Sequence, residues 1–183
     1  MEGIILNSLN FPVLTVTTFL PLVGALLILL IRNDVLIKWI ALVTTVATCI
    51  VSLPIYTHFD KTTYKMQFTE IHPWIPAWNI NYKVGVDGIS VLFIILVTIL
   101  SILCVAVSWK AIRKKTKEFF ISLLIMETAM IGVFVSLNIF LFYLFWELTL
   151  IPMFFLIGVW GGSNRIYATI KFVLFTLAGS VLM

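Results

Sequence analysis

The stretch Asn138–Trp160, NIFLFYLFWELTLIPMFFLIGVW, is an apolar run that carries one carboxylic acid, Glu147, near its middle. At about 1.5 Å of rise per residue, a helix of this length matches the roughly 30 Å of hydrocarbon in a bilayer. The run therefore reads as a membrane-spanning helix with Glu147 close to the midplane. An acid at that depth costs at least a few kcal/mol, so such residues face a protein interior or a water path and mark ion routes or proton relays.

The rest of the chain fits that setting. Hydrophobic residues make up 62% and charged residues 11%, with a mean hydropathy of +1.15, whereas soluble domains average about 45–50% apolar and about 25% charged. The formal net charge of +4 does not point to nucleic acid, because the cations sit in short segments between apolar runs, where they report membrane orientation. Cys49 and Cys104 lie far apart inside apolar runs, without disulfide or metal-ligand spacing, and read as packing residues. The first residues, MEGIILNSLNFPVL, have no basic stretch of the kind that opens a signal peptide. The chain stops at Met183 within an apolar segment, which leads us to expect a piece of a longer protein.

Six spans follow one another, and the expected fold class is all-α, a polytopic transmembrane helix bundle. Residues 1–55 form a first transmembrane hairpin, with spans at about 14–31 and 35–54 joined by Arg32-Asn33-Asp34. Residues 56–87 are polar and aromatic and form a short extracytoplasmic loop or hairpin, with strand-like alternation from Trp78 to Val84. Residues 88–183 hold spans three to six, the last cut at Met183; Asp87 is placed to cap span three. Eight cations (Arg32, Lys38, Lys110, Arg113, Lys114, Lys115, Lys117, Arg165) fall on one side and three (Lys61, Lys65, Lys83) on the other. The positive-inside rule makes the first side cytoplasmic or matrix and puts the N-terminus outside. Trp39, Trp109 and Trp160 then mark the inner boundary, and Trp74, Trp78 and Tyr82 the outer one.

Three residues inside the spans can carry chemistry: Glu147, Glu127 and Lys171. Glu127 and Glu147 come at similar depth on consecutive antiparallel spans. If they face each other, repulsion and desolvation favour a held proton; the other reading is a pair of neutral acids bonded to neighbouring helices. Lys171, about six residues into span six, either snorkels to the inner interface or joins a relay. Thr128, Gly132 and Ser136 form a small-residue ridge about 100° around the helix from Glu127. Pro152 leaves the Leu148 carbonyl without its helical donor. His58 and His72 fall in the outer loop, away from both acids, and read as solvated. Nothing spells a haem, flavin, nicotinamide, iron–sulfur or metal site.

The segment IGVFVSLNIFLFYLFWELTLIPMFFLIGVWGG and the following RIYATIKFVLFTLAGSVLM resemble the antiporter-like membrane subunits of proton-pumping NADH:quinone oxidoreductase, respiratory complex I. Further support comes from WIALVTT, VDGISVLF and SWK, and the pattern FWE-x-x-L-x-P-M-x-F-L-I-G-x-W is specific. The wider family includes multisubunit cation/proton antiporters. The resemblance implies a fourteen-helix protein with two inverted five-helix repeats, the first of which begins within residues 88–183. It also implies a helix-five glutamate, matched by Glu147, that works with a lysine on helix seven; Glu127 aligns with an acid often found on helix four. Lys171 lies in helix six and takes no role from the family. The function implied is a proton half-channel driven by redox chemistry elsewhere. NADH, FMN, iron–sulfur clusters and quinone would be bound by other subunits, with no cofactor in this chain. Its partners would be other membrane-arm subunits, the lipid bilayer and protons, in a bacterial cytoplasmic or mitochondrial inner membrane. The alternatives are a cation/proton antiporter subunit or a structural membrane-arm component.

Overall fold

The computed structural model describes residues 4–6, 11–75 and 80–182. The order is β1 (Ile4–Leu6), α1 (Val13–Leu30), α2 (Asp34–Thr57), β2 (Met66–Ile75), β3 (Ile80–Val86), α3 (Gly88–Ala111), α4 (Thr116–Val135), α5 (Ile139–Trp160) and α6 (Arg165–Leu182). All six helices are long and apolar enough to cross a membrane. In hydrocarbon no water can pair with the backbone, so each span must close its own hydrogen bonds, and a helix does so.

Helix starts need donors' partners from outside the helix. Asn33 accepts from the Val35 amide at 2.9 Å, Asp87 from the Ser90 amide at 2.7 Å, and Asn138 from the Phe140 amide at 2.9 Å. The Ser90 hydrogen bond holds the Asp87 carboxyl below its ordinary range. The residue before α1 is Pro12, which has no side chain able to cap. Glu70 of β2 supplies the missing acceptor, taking the amides of Leu14 at 3.0 Å and Thr15 at 3.2 Å. Thr15 Oγ1 also donates to Glu70, and the Tyr82 hydroxyl of β3 lies 3.0 Å from Thr15 Oγ1. Burial pushes the Tyr82 phenol above its ordinary range, and the nearby Glu70 adds to this while Thr15 opposes it.

The segment between α2 and α3 is thus a folded antiparallel hairpin, with β1 added in parallel to give the order β1-β2-β3. The expected loop or hairpin did not foresee this third strand. Ordinary strand alternation fails in β2, where Gln67, Phe68, Thr69 and Glu70 are all buried. Phe68 has φ of 52° at a register shift, and this left-handed residue turns consecutive side chains inward. The hairpin is tied to the bundle by Leu137 N to Lys83 O at 3.0 Å and Asn138 Nδ2 to Asn81 O at 3.2 Å. Gly85 permits this approach, since a Cβ there would lie 2.6 Å from Leu137 Cδ1. Pro76, Trp78 and Asn79, which entered the sequence reading of this segment, lie outside the described residues.

Helix α4 is the centre of the bundle, packing on α1, α5, α3 and α2, and α6 packs on α5 at the edge. One apolar core joins the hairpin to α1, α2, α3, α4 and α5 through Phe68, Val84, Leu14, Ile55, Ile94, Ile131 and Phe145. A second, at the other end, joins α1, α2, α3 and α4 through Ile28, Ile37, Val105 and Phe120. The ridge on α4 does what its spacing implies: a Cβ on Gly132 would lie 2.3 Å from Phe145 of α5. Cys104 departs from its packing role, because it lies exposed on α3, and Cys49 is half-buried; both are free thiols.

Candidate functional site

Glu147 sits on α5, eight residues in from Ile139, and is half-buried. Its Oε1 accepts a hydrogen bond from the hydroxyl of Ser180 on α6. The carboxyl opens into a groove of about 510 Å³ between α5 and α6, lined otherwise by apolar side chains including Leu144, Ile151, Phe155, Val173 and Leu177. In so apolar a setting one hydroxyl leaves most of the carboxylate's acceptor capacity unmet. Helix α5 continues through the buried Pro152, one turn and a residue beyond Glu147.

Glu127, on α4, is only 1% exposed, and neither of its oxygens is hydrogen-bonded. The hydroxyl nearest in influence is that of Ser101 on α3, which faces the carboxyl without closing a hydrogen bond. A buried charge with no partner is costly, so this carboxyl needs a proton, a cation or water to be stable. Glu127 looks toward α3 and Glu147 toward α6. The two acids therefore turn to different helices rather than sharing one site.

Lys171 is exposed on α6, and its Nζ lies 5.8 Å from the centre of the Tyr167 ring, one turn toward the start of the helix. It points away from Ser180 and Glu147 along α6, the posture of a snorkelling lysine. His58 and His72 are both exposed, and His72 stacks on Tyr82 at 6.4 Å. Among the described residues no three His, Cys, Asp or Glu side chains cluster as metal ligands.

Ser180, Ser101, Thr15 and Glu70 were not among the residues that the sequence offered for chemistry. Only Glu70 left a signal, since a helix that opens after Pro12 must find its cap elsewhere. Thr128, adjacent to Glu127, has a buried hydroxyl without a partner and lines a second cavity, of about 580 Å³, with Phe19, Trp74, Tyr82 and Phe145.

Known proteins share both the sequence and the shape. Residues 136–183, which hold Glu147, Lys171 and Ser180, match the family described as NADH:quinone oxidoreductase/Mrp antiporter, TM. NADH-quinone oxidoreductase subunit M of Rhodobacter capsulatus is 47% identical over 176 residues, covering 93% of this chain and 34% of the relative. NADH-ubiquinone oxidoreductase chain 4 of Arabidopsis thaliana is 45% identical over 166 residues, 89% of this chain and 34% of the relative. A chain of respiratory complex I from Thermus thermophilus with bound NADH superposes with a TM-score of 0.78 at 25% identity, covering 91% of this chain and 33% of that one. The chain spans about a third of the length of the curated relatives it matches. In sequence and in fold, the chain resembles the N-terminal part of subunit M among the antiporter-like membrane subunits of NADH:quinone oxidoreductase.

Proposed function

We propose that this chain is part of a proton-translocating membrane-arm subunit of an NADH:quinone oxidoreductase, with Glu147 as its proton-handling group. The observation that carries the reading is a mid-span carboxyl held by one hydroxyl across α5 and α6 and open to a groove on the bundle's flank. A carboxyl so placed responds to any charge or water brought into that groove, because little in the bundle screens it. Redox chemistry in other subunits supplies the driving force, and this chain supplies protonable groups and a dry helical frame. Glu127 serves as a second carboxyl that holds a proton inside the bundle. Lys171 stays at the interface. The subunit crosses a bacterial cytoplasmic or mitochondrial inner membrane with its N-terminus on the outer side, since eight cations lie on the opposite side.

The test is Glu147→Gln in the assembled complex, followed by quench of a pH-gradient dye in inverted vesicles. Proton pumping falls strongly while assembly persists; normal pumping refutes the assignment. The matched family description also names Mrp antiporters, and that reading predicts sodium- or potassium-dependent proton exchange without NADH and purification free of flavin and iron–sulfur subunits.

A further inference from the structure

We infer that the loop between α3 and α4 seats the headgroup of an anionic phospholipid. Two ends of the bundle differ in charge. The end holding this loop carries eight cations against the two carboxylates Asp34 and Glu118, whereas the hairpin end, among the described residues, carries Lys61, Lys65 and Lys83 against Asp60, Glu70 and Asp87. Five of the cations fall within residues 110–117.

The structure divides the cations at this end by use. Lys38 Nζ donates to the Trp109 carbonyl at 2.7 Å and Lys117 Nζ to the Leu29 carbonyl at 2.6 Å, so each ties two helices together. Lys110, Arg113, Lys114 and Lys115 are exposed, and none is paired with a carboxylate among the described residues. Asp34 is engaged by the Thr116 hydroxyl at 3.3 Å.

The backbone beneath these free cations is fixed. Trp160 Nε1 of α5 donates to the Lys114 carbonyl at 3.0 Å, and the ring of Trp160 meets Phe119 at 5.2 Å. Ile112 N bonds Ser108 O at 3.0 Å, and Phe119 N bonds Lys115 O at 3.2 Å. Lys115 takes a left-handed φ of 53° to make the turn, with no side-chain cap on the α4 amides that follow. Beside the loop, Trp39 and Trp109 meet edge to face at 5.3 Å, an interfacial pair. Below lie exposed apolar side chains of α2 and α3, among them Val43 at 61% and Val107 at 76%. Cations needed only to set orientation require no such fixed platform. A fixed basic loop above tryptophans and bare apolar helix is complementary to an amphiphile with an anionic head, and anionic lipid attracts each nearby Lys or Arg.

The experiment uses the full subunit within its native complex, reconstituted in phosphatidylcholine with a minor share of nitroxide-labelled phosphatidylglycerol, and reads the immobilised lipid fraction. Arg113→Gln/Lys114→Gln/Lys115→Gln lowers the preference for phosphatidylglycerol over labelled phosphatidylcholine by at least about tenfold, since each cation near a lipid surface contributes about 1 kcal/mol. Arg113→Lys/Lys114→Arg/Lys115→Arg keeps the preference. An unchanged preference in the glutamine variant overturns the proposal, and so does an equal loss of both lipids. Because removing cations can disturb insertion, the unmodified protein gives an independent reading. Salt raised from about 0.1 M to about 1 M, which shortens the Debye length from about 10 Å to about 3 Å, weakens the preference severalfold. A salt-insensitive preference overturns the proposal. Protection of Lys114 and Lys115 from amine reagents that survives complete delipidation also overturns it and assigns the loop to a protein partner.

Discussion

Gly132→Ala tests the contact that sets the spacing of the two acid-bearing helices. A Cβ at this position lies 2.3, 2.4 and 2.6 Å from Cδ1, Cγ and Cε1 of Phe145, whereas carbon atoms rest at about 3.5–4.0 Å. The Phe145 ring must therefore retreat by about 1 Å or more. It has little space to do so, being 3% exposed and packed against Phe19 of α1 at 6.3 Å as well as α4. Overpacking of this kind costs about 1–3 kcal/mol. Because Phe145 precedes Glu147 by two residues on α5, the strain is delivered next to the candidate site. The assay is a double-mutant cycle on the thermal unfolding of the full-length subunit in detergent. Gly132→Ala destabilises by about 1–3 kcal/mol, Phe145→Leu alone opens a small void, and the double variant recovers at least half of the first loss, giving a coupling of about 1 kcal/mol. Strict additivity, or a silent Gly132→Ala, would refute the idea that α4 and α5 meet through this glycine.

Three further outcomes follow from the same contacts. Glu70→Ala strips the acceptor from the Leu14 and Thr15 amides; losing about 2 kcal/mol of capping speeds hydrogen exchange across residues 13–17 roughly thirtyfold, and unchanged exchange rates sink the cap. Ser180→Ala removes the hydroxyl on Glu147, so pumping falls but persists, and Ser180→Thr restores it; equal pumping in all three denies Ser180 a role in holding the carboxyl. Lys171→Gln leaves pumping within about twofold of the parent, since the ammonium lies beside Tyr167, and a loss as large as that of Glu147→Gln would return Lys171 to the relay.

The spans were legible because lipid imposes one rule on length and composition. Span five, read as 138–160, is the helix Ile139–Trp160, and spans one and two, read as about 14–31 and 35–54, are Val13–Leu30 and Asp34–Thr57. Asp87 announced its cap by residue type alone. Contacts made by residues far apart in the chain were not legible. Glu70 caps α1 from 56 residues away, and its inward turn depends on the left-handed Phe68, a conformation that no strand pattern suggests for phenylalanine. The facing of Glu127 was equally hidden, because helical periodicity gives angles within a helix but not the rotation of that helix against its neighbours. β1 is three residues long, too short for alternation to show.

The two acids occupy different electrostatic positions, and the difference argues for distinct roles. The spans contain one basic residue well inside a helix, Lys171, and it is turned to the surface, so neither acid finds its counter-charge among the described residues. Glu127 is sealed in the bundle at 1% exposure, so only water or a proton that penetrates the bundle can alter its state. Glu147 opens onto the α5–α6 flank, where whatever packs against the bundle comes within reach. A unit positive charge brought to about 6 Å in surroundings of effective dielectric about 20 interacts with a carboxylate by about 3 kcal/mol. A side-chain cation that moved toward and away from this flank would therefore load and unload Glu147 without any rearrangement of α5. Under the proposed reading, Glu147 is then the group that senses the neighbour and Glu127, enclosed in the bundle, the group that holds a proton inside it.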